Sequence, residues 1–279
     1  MTIFGVDISN NNGPDVDLAR VAREGFRFVF AKVSEGDGFV DYTWPGYREA
    51  AHENGLLVAG YHYLRGDCDV RAQAEVFVEH LGDAAAMVDF EANSGGIETF
   101  WGFVDAVNAL GRTINLSYIP RWYWQRIGCP DLSQVPGLIQ SSYVSGAGAA
   151  AELYPGDAGG SWNAFGGKAV DLLQFTDQAR VAGKLVDANA FKGTFEQLRT
   201  LLGLTLSTNQ GVFMALTDAQ QEELLQKVRE IWEQLRGPDG GGWPQLGKNA
   251  QGQNLTLVDA VTELRDSLDG KADQAKPAA

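Results

Sequence analysis

The sequence predicts an α/β fold, a (β/α)8 barrel followed by a small α-helical domain. Three observations carry this. Short apolar, β-branched runs alternate with longer segments of helical period from residue 2 to about residue 203, the pattern of a parallel sheet wrapped by helices. The runs number eight, which suits a closed barrel. Beyond Gly203 the character changes, as the polar stretch LTLSTNQGVF leads into two amphipathic segments. The expected organisation is a barrel over 1–203, a linker over 204–215 and a helical tail over 216–279.

Strands are expected at 3–8, 27–33, 57–63, 87–91, 114–118, 138–143 and 170–175, with a short eighth at 184–187. Between them, 16–24, 44–54, 70–81 and 99–110 carry apolar residues at helical spacing and run up to glycines, a common helix stop. The stretch 145–168 is too rich in Gly and Ala for a regular element and reads as a long loop; its place after the sixth strand suggests that it lines a cleft. In the tail, Thr217 and Gln220 form a capping-box signature, and Leu224, Leu225, Val228, Ile231, Trp232 and Leu235 fall on one helical face. RGPDGGGWPQLG breaks that helix, and a second follows with Leu257, Val258, Val261, Leu264 and Leu268 as its apolar positions. Two short helices bury little surface by themselves, so the tail must dock, oligomerise or bind something.

With 279 residues and a formal charge of -14, the chain repels polyphosphate, and nucleic acid is an unsuitable partner. Cys68 and Cys129 lie far apart without ligand-spaced neighbours, so free thiols are expected, with no metal and no cofactor. The opening MTIFGVDISN has no basic segment followed by a long apolar run, and no stretch approaches membrane-spanning length, so neither an export signal nor membrane insertion is expected.

The chemistry-bearing residues are acids at strand ends. In MVDFEAN, Asp89 and Glu91 share a strand face, roughly 7 Å apart along the backbone. Asp7 holds the matching place in the first strand, and Asp187 follows the last. Four carboxylates in one barrel mouth cannot all ionise cheaply, so at least one should hold a proton near neutrality. A protonated carboxyl beside ionised ones is what cleavage of a glycosidic bond requires. The plainer alternative for any single acid is a solvated side chain or a helix cap.

These residues resemble family 25 of the glycoside hydrolases, lysozymes of phages, bacteria and fungi. The likeness spans about 3–203 and includes GVDISNNNG, FVFAKVSEG, GLLVAGYHYL, VDFEAN, LLQFT and VDANAFKG in order. It implies an irregular, TIM-like (β/α)8 barrel that hydrolyses the β-1,4 bond between N-acetylmuramic acid and N-acetylglucosamine in peptidoglycan glycan strands. It also implies Glu91 as proton donor, Asp89 as the assisting residue, by orienting the 2-acetamido group for attack or otherwise, and Asp7 and Asp187 as charge stabilisers. Tyr61, Tyr63, Tyr118, Lys32, Glu35 and Gln174 are expected to line the cleft. His62, on the face opposite the tyrosines, is expected to pack in a satisfied site, and His52 and His80 to lie on helix surfaces. On the sixth strand LIQSSYVSG departs from a tryptophan motif common in the family, and Tyr143 is the expected substitute.

The tail resembles C-terminal segments of actinobacterial phage lysins. The expectation is a phage endolysin, held in the host cytoplasm until a separate membrane-permeabilising protein releases it to the cell wall for host lysis. The tail would serve homo-oligomerisation or wall binding, with Trp232 and Trp243 able to stack on sugars. Met214 offers an internal translation start that would yield free tail chains. The alternative from another class is a catalytically silent peptidoglycan-binding barrel.

Overall fold

The computed structural model describes residues 2–204 and 218–274. The chain divides into two compact units, Met1–Thr205 and Leu206–Ala279. The first contains β1 (Thr2–Ile8), α1 (Leu18–Arg23), β2 (Phe28–Glu35), β3 (Phe39–Val40), α2 (Trp44–Glu53), β4 (Leu57–Tyr63), α3 (Val70–Leu81), β5 (Ala85–Asp89) and α4 (Ile97–Ala109). There follow β6 (Ile114–Tyr118), α5 (Arg121–Arg126), β7 (Leu138–Ser141), α6 (Ala150–Leu153), β8 (Leu172–Val181), β9 (Lys184–Lys192) and α7 (Phe195–Leu201).

The strands run β1-β9-β8-β7-β6-β5-β4-β2, and β1 pairs with β2 to close an eight-stranded barrel; β3 folds back on β2 as a short hairpin. Side chains alternate across each strand, which divides the apolar residues into two layers. Phe28, Phe30, Leu57, Met87, Leu116 and Phe191 fill the barrel. Val29, Val33, Val58, Val88, Phe77 and Phe103 pack between strands and helices. Above the inner layer each strand turns polar, and that switch makes the mouth.

The parallel pattern expected for the sheet fails at its end. β8 and β9 form an antiparallel hairpin, and β9 is also antiparallel to β1. A two-residue turn at Ala182 and Gly183, with φ of 51° and 85°, leaves no room for a crossover helix, and positive φ at both positions suits a tight hairpin. The last strand therefore runs the nine residues Lys184–Lys192, well past the expected 184–187. The strand expected to reach Glu91 stops at Asp89, because the Glu91 N–H leaves the ladder and donates to Ser94 Oγ at 3.1 Å. The stretch 145–168 is less irregular than expected: it contains α6 and a 3-10 turn at Gly160–Trp162, anchored by the buried Trp162 and Phe165. Cys68 and Cys129 are free thiols, and His52 and His80 are exposed on their helices.

The second unit holds two helices, α8 (Asp218–Arg236) and α9 (Leu257–Gln274), joined through 3-10 turns at Pro238–Gly240 and Pro244–Leu246. Trp243 ties the connection down: its backbone N–H donates to Leu255 O at 2.8 Å and its indole N–H to Gln234 O at 3.1 Å. Both helices leave apolar stripes exposed, including Val228, Ile231 and Trp232 on α8 and Val258, Val261 and Leu264 on α9. The capping Thr217, the stretch 205–217 with Met214, and the side chain of Leu268 lie outside the described residues. Among the described residues no helix is long and apolar enough to cross a membrane.

Candidate active site

At the barrel mouth a cavity of about 190 Å³ is lined by Asp7, Asn11, Lys32, Tyr61, Tyr63, Met87, Asp89, Glu91, Tyr118, Tyr143, Gln174 and Asp187. All four acids singled out in the sequence meet here. Asp7 and Asp187 are direct register partners across β1 and β9. Asp89 and Glu91 face the cavity together, while Phe90 between them points into the outer apolar layer. Period-two alternation thus persists two residues beyond the ladder.

The acids are held by uncharged partners. Gln174 Nε2 donates to Asp7 Oδ2 at 3.3 Å, and Tyr143 OH donates to Gln174 Oε1 at 2.6 Å, which places Tyr143 at the edge where a tryptophan motif is missing. The segment after β5 is fixed by the bond from Glu91 N–H to Ser94 Oγ and by Tyr63 OH, which donates to Ala92 O at 2.7 Å. Asp89 is buried, and its Oδ1 has no hydrogen-bond partner among the described residues. An unpartnered buried oxygen is costly unless a ligand group or a proton satisfies it.

Burial is the first cause raising the affinity of every one of these acids for a proton. Asp7 is lifted well above the ordinary aspartate value by burial, then by Asp187 and Glu91; Asp89 likewise by burial, then by Glu91 and Asp7. Asp187 is pushed up to about 7 by burial, then by Asp177 and Glu91. Glu91 is raised by burial and opposed by Lys32, whose ammonium also opposes the rise at Asp7 and Asp89. The four titrate as a set, and near neutrality the set retains protons. Burial likewise lifts the Tyr61, Tyr63, Tyr118 and Tyr143 phenols, so they face the cavity as neutral hydrogen-bonding groups.

Two expectations need correction. Glu35 does not line this cavity; it lies in the adjoining groove with Gly36, Phe39, Arg65 and Cys68, and reaches the site through Lys32 Nζ at 2.5 Å. A bulge between Lys32 and Ser34 in the β2–β4 register sets the relation of the two side chains. It turns two consecutive residues outward, Val33 into the outer layer and Ser34 onto His62, so that Lys32 and Glu35, three apart, share a face. The stretch 145–168 does not line the cavity either. Arg180 N–H donates to Gly148 O at 2.8 Å, which draws this part of the stretch onto the far part of β8 and places 149–151 in a separate cavity with Phe4 and Phe26.

The structure adds residues that sequence reasoning missed. Asn11 enters the cavity from the 3-10 turn Asn10–Asn12, which Ser9 caps. The buried Asp41 anchors that turn, accepting from Asn10 N–H at 2.8 Å and from Thr43 N–H and Oγ1–H at 2.9 and 2.6 Å. The Asn run after the first strand was the available signal. Asp177, exposed on β8, adds a fifth charge beside Asp187.

The family model for glycosyl hydrolases family 25 matches residues 6–184. The chain belongs to this family. It is a glycoside hydrolase, and every residue lining the mouth except Asp187 falls within the match. A second family model, the Rv3766 C-terminal domain, matches 216–272. The uncharacterized protein Rv3766 of Mycobacterium tuberculosis is 54% identical over 83 residues, covering 29% of this chain and 30% of that protein. An N,O-diacetylmuramidase of Arthroderma benhamiae is 27% identical over 221 residues, covering 71% of this chain and 86% of that one. Among solved structures, the lysozyme of Streptomyces coelicolor shares the fold at a TM-score of 0.60 and 20% identity, over 73% of this chain and 98% of its own.

Proposed function

We propose that the barrel is an N-acetylmuramidase that cuts the β-1,4 bond between N-acetylmuramic acid and N-acetylglucosamine in peptidoglycan, with Glu91 as proton donor. The observation that carries this is the meeting of Asp7, Asp89, Glu91 and Asp187 in one cavity, with Glu91 less buried than Asp89 and so the acid better able to reach an incoming glycosidic oxygen. Glu91 gives its proton to the leaving oxygen as the bond to the anomeric carbon breaks; water then supplies the hydroxyl that bonds to that carbon, and its other proton restores Glu91. Asp7 and Asp187 stabilise the positive charge that develops on the sugar ring. Asp89 assists by orienting the 2-acetamido group, a role supported by its unpartnered Oδ1, which is available to the acetamido N–H. Tyr61, Tyr63 and Tyr118 offer ring faces and hydroxyls to the saccharide, and Gln174 keeps Asp7 in place. Digestion of purified walls tests this: reducing ends identified as muramic acid are expected. Ends of N-acetylglucosamine, or binding without cleavage as in a silent barrel, would overturn it.

We further infer an endolysin that waits in the host cytoplasm, reaches the wall through a separate membrane-permeabilising protein and lyses the host. The tail in this scheme is an oligomerisation module. Its support is the exposed apolar surface of α8 and α9, where Leu255 is the only buried large apolar side chain among the described residues of the unit. Stripes of this kind bury against other helices. Tail chains started at Met214 would join the full-length enzyme and multiply its wall contacts. Expression of the natural gene should yield a second, shorter species; a single species would dismiss that part.

A further inference from the structure

His62 and Gln73 are buried polar residues outside the cavity, and every polar atom of the pair is used. Gln73 Nε2 donates to Arg65 O at 2.9 Å and to Cys68 O at 3.2 Å, which makes Gln73 Oε1 the acceptor. That oxygen receives Arg65 N–H at 2.8 Å and faces His62 Nε2 at 3.1 Å. His62 therefore carries its proton on Nε2, and its Nδ1 accepts the Ser34 hydroxyl at 2.9 Å. The ring stacks on Phe103 at 4.7 Å between centroids, and burial holds it neutral, pushed down to about 4.

This network grips the segment from Leu64 to Cys68, which follows β4. The same segment reaches across the mouth: Leu64 N–H donates to Asp89 O at 3.0 Å and Gly66 N–H to Asn93 O at 2.8 Å. A Cβ at Gly66 would lie 2.7 Å from Gly95 N, so only glycine allows this approach. From the gripped segment Arg65 extends to Glu35 at 3.3 Å, and Glu35 holds Lys32 Nζ at 2.5 Å. The Lys32 ammonium lies 5.2 Å from the Tyr63 ring and 5.5 Å from the Phe39 ring.

We propose that Gln73 and His62 are positioning residues for Lys32: they fix the Arg65 segment, Arg65 holds Glu35, and Glu35 holds the ammonium over the acids. The placement matters because Lys32 is the cation that opposes protonation of Asp7, Asp89 and Glu91. The charged or titratable groups around it are those three acids, Glu35 with its partner Arg65, Asp67, which also holds Arg65 at 3.2 Å, the neutral Tyr61 and Tyr63, and the neutral His62. If Lys32 swings away, the acids hold protons more tightly and both limbs of the rate profile move to higher pH.

The proposal rests on the muramidase assignment for its kinetic arm, and a second arm is independent of it. Lys32→Met should shift the pH optimum upward by about one unit. Gln73→Leu and Arg65→Gln should shift it in the same direction by about half a unit. Arg65 is partly exposed and its replacement leaves the core intact, so this variant tests the relay even if Gln73→Leu folds poorly. Adding Arg65→Gln to Lys32→Met should produce no further shift, because both act through one ammonium. The second arm is carboxyl titration by 13C NMR on the unliganded enzyme, where the same upward displacements are expected. A parent that leaves walls intact would overturn the functional assignment, with the titrations still deciding this one. Unmoved titrations in Arg65→Gln, or shifts that add in the double variant, would overturn the relay.

Discussion

Replacing Asp187 with Asn probes the crowding of acids through stability. The Asp187 carboxyl moves from the ordinary value of 3.8 to about 7, through burial first and then Asp177 and Glu91. The folded state thus binds this proton more tightly than the unfolded chain. The stabilisation is fully present below about pH 4 and is lost as the pH rises through about 7. An interval of roughly three pH units at about 1.4 kcal/mol each gives about 4 kcal/mol as an upper limit. Water at the cavity mouth reduces this to about 2 kcal/mol. An amide carries no such penalty, so Asp187→Asn should gain on the parent between pH 4 and pH 8 while losing activity. At about 2–4 °C per kcal/mol for a domain of this size, the gain in Tm is roughly 4–8 °C. Thermal unfolding followed by tryptophan fluorescence at pH 4, 6 and 8 measures it. An offset between parent and variant that does not change with pH would refute the reasoning.

Gln174→Leu removes the donor to Asp7 and the acceptor of Tyr143; a fall in kcat of about 10- to 100-fold on walls is expected, with KM little changed, and an unaltered kcat would deny Gln174 its positioning part. Gly60→Ala would place a Cβ 2.5 Å from Val33, 2.8 Å from Leu81 and 2.9 Å from Trp44. Denaturant unfolding should show a loss of about 1–3 kcal/mol from this overpacking. Ile231→Asp with Val261→Asp charges both exposed tail stripes; light scattering should report oligomers for the parent and monomers for the variant, and a monomeric parent that binds walls would favour wall binding instead.

Much of the site was legible because it rests on strand periodicity. Asp89 and Glu91 read as same-face residues, and they remain so although the strand ends between them. Asp7 and Asp187 were legible as strand-end acids, but their pairing was not, because it depends on β9 running antiparallel to β1. The Ala182–Gly183 turn carried that signal, and a parallel pattern elsewhere in the chain masked it. Glu35 shows the limit of period-two reasoning: one bulged residue moved its whole relation to Lys32, and no residue type in AKVSEG announces a bulge. Position alone makes the stretch 145–168 look cleft-lining, whereas backbone bonding to Arg180 directs its start elsewhere. His62 was legible as a satisfied core residue, but its partner Gln73, in the first turn of α3, looks like an ordinary amphipathic position.

The proton donor is tested most directly by Glu91→Gln assayed on two substrates. On walls, where the leaving oxygen needs a proton, activity should fall by about 10²- to 10⁴-fold. On an aryl glycoside whose phenolate leaves without protonation, the same variant should retain nearly all of its bond-cleaving rate. Equal losses on both substrates, or full activity on walls, would contradict Glu91 as the acid.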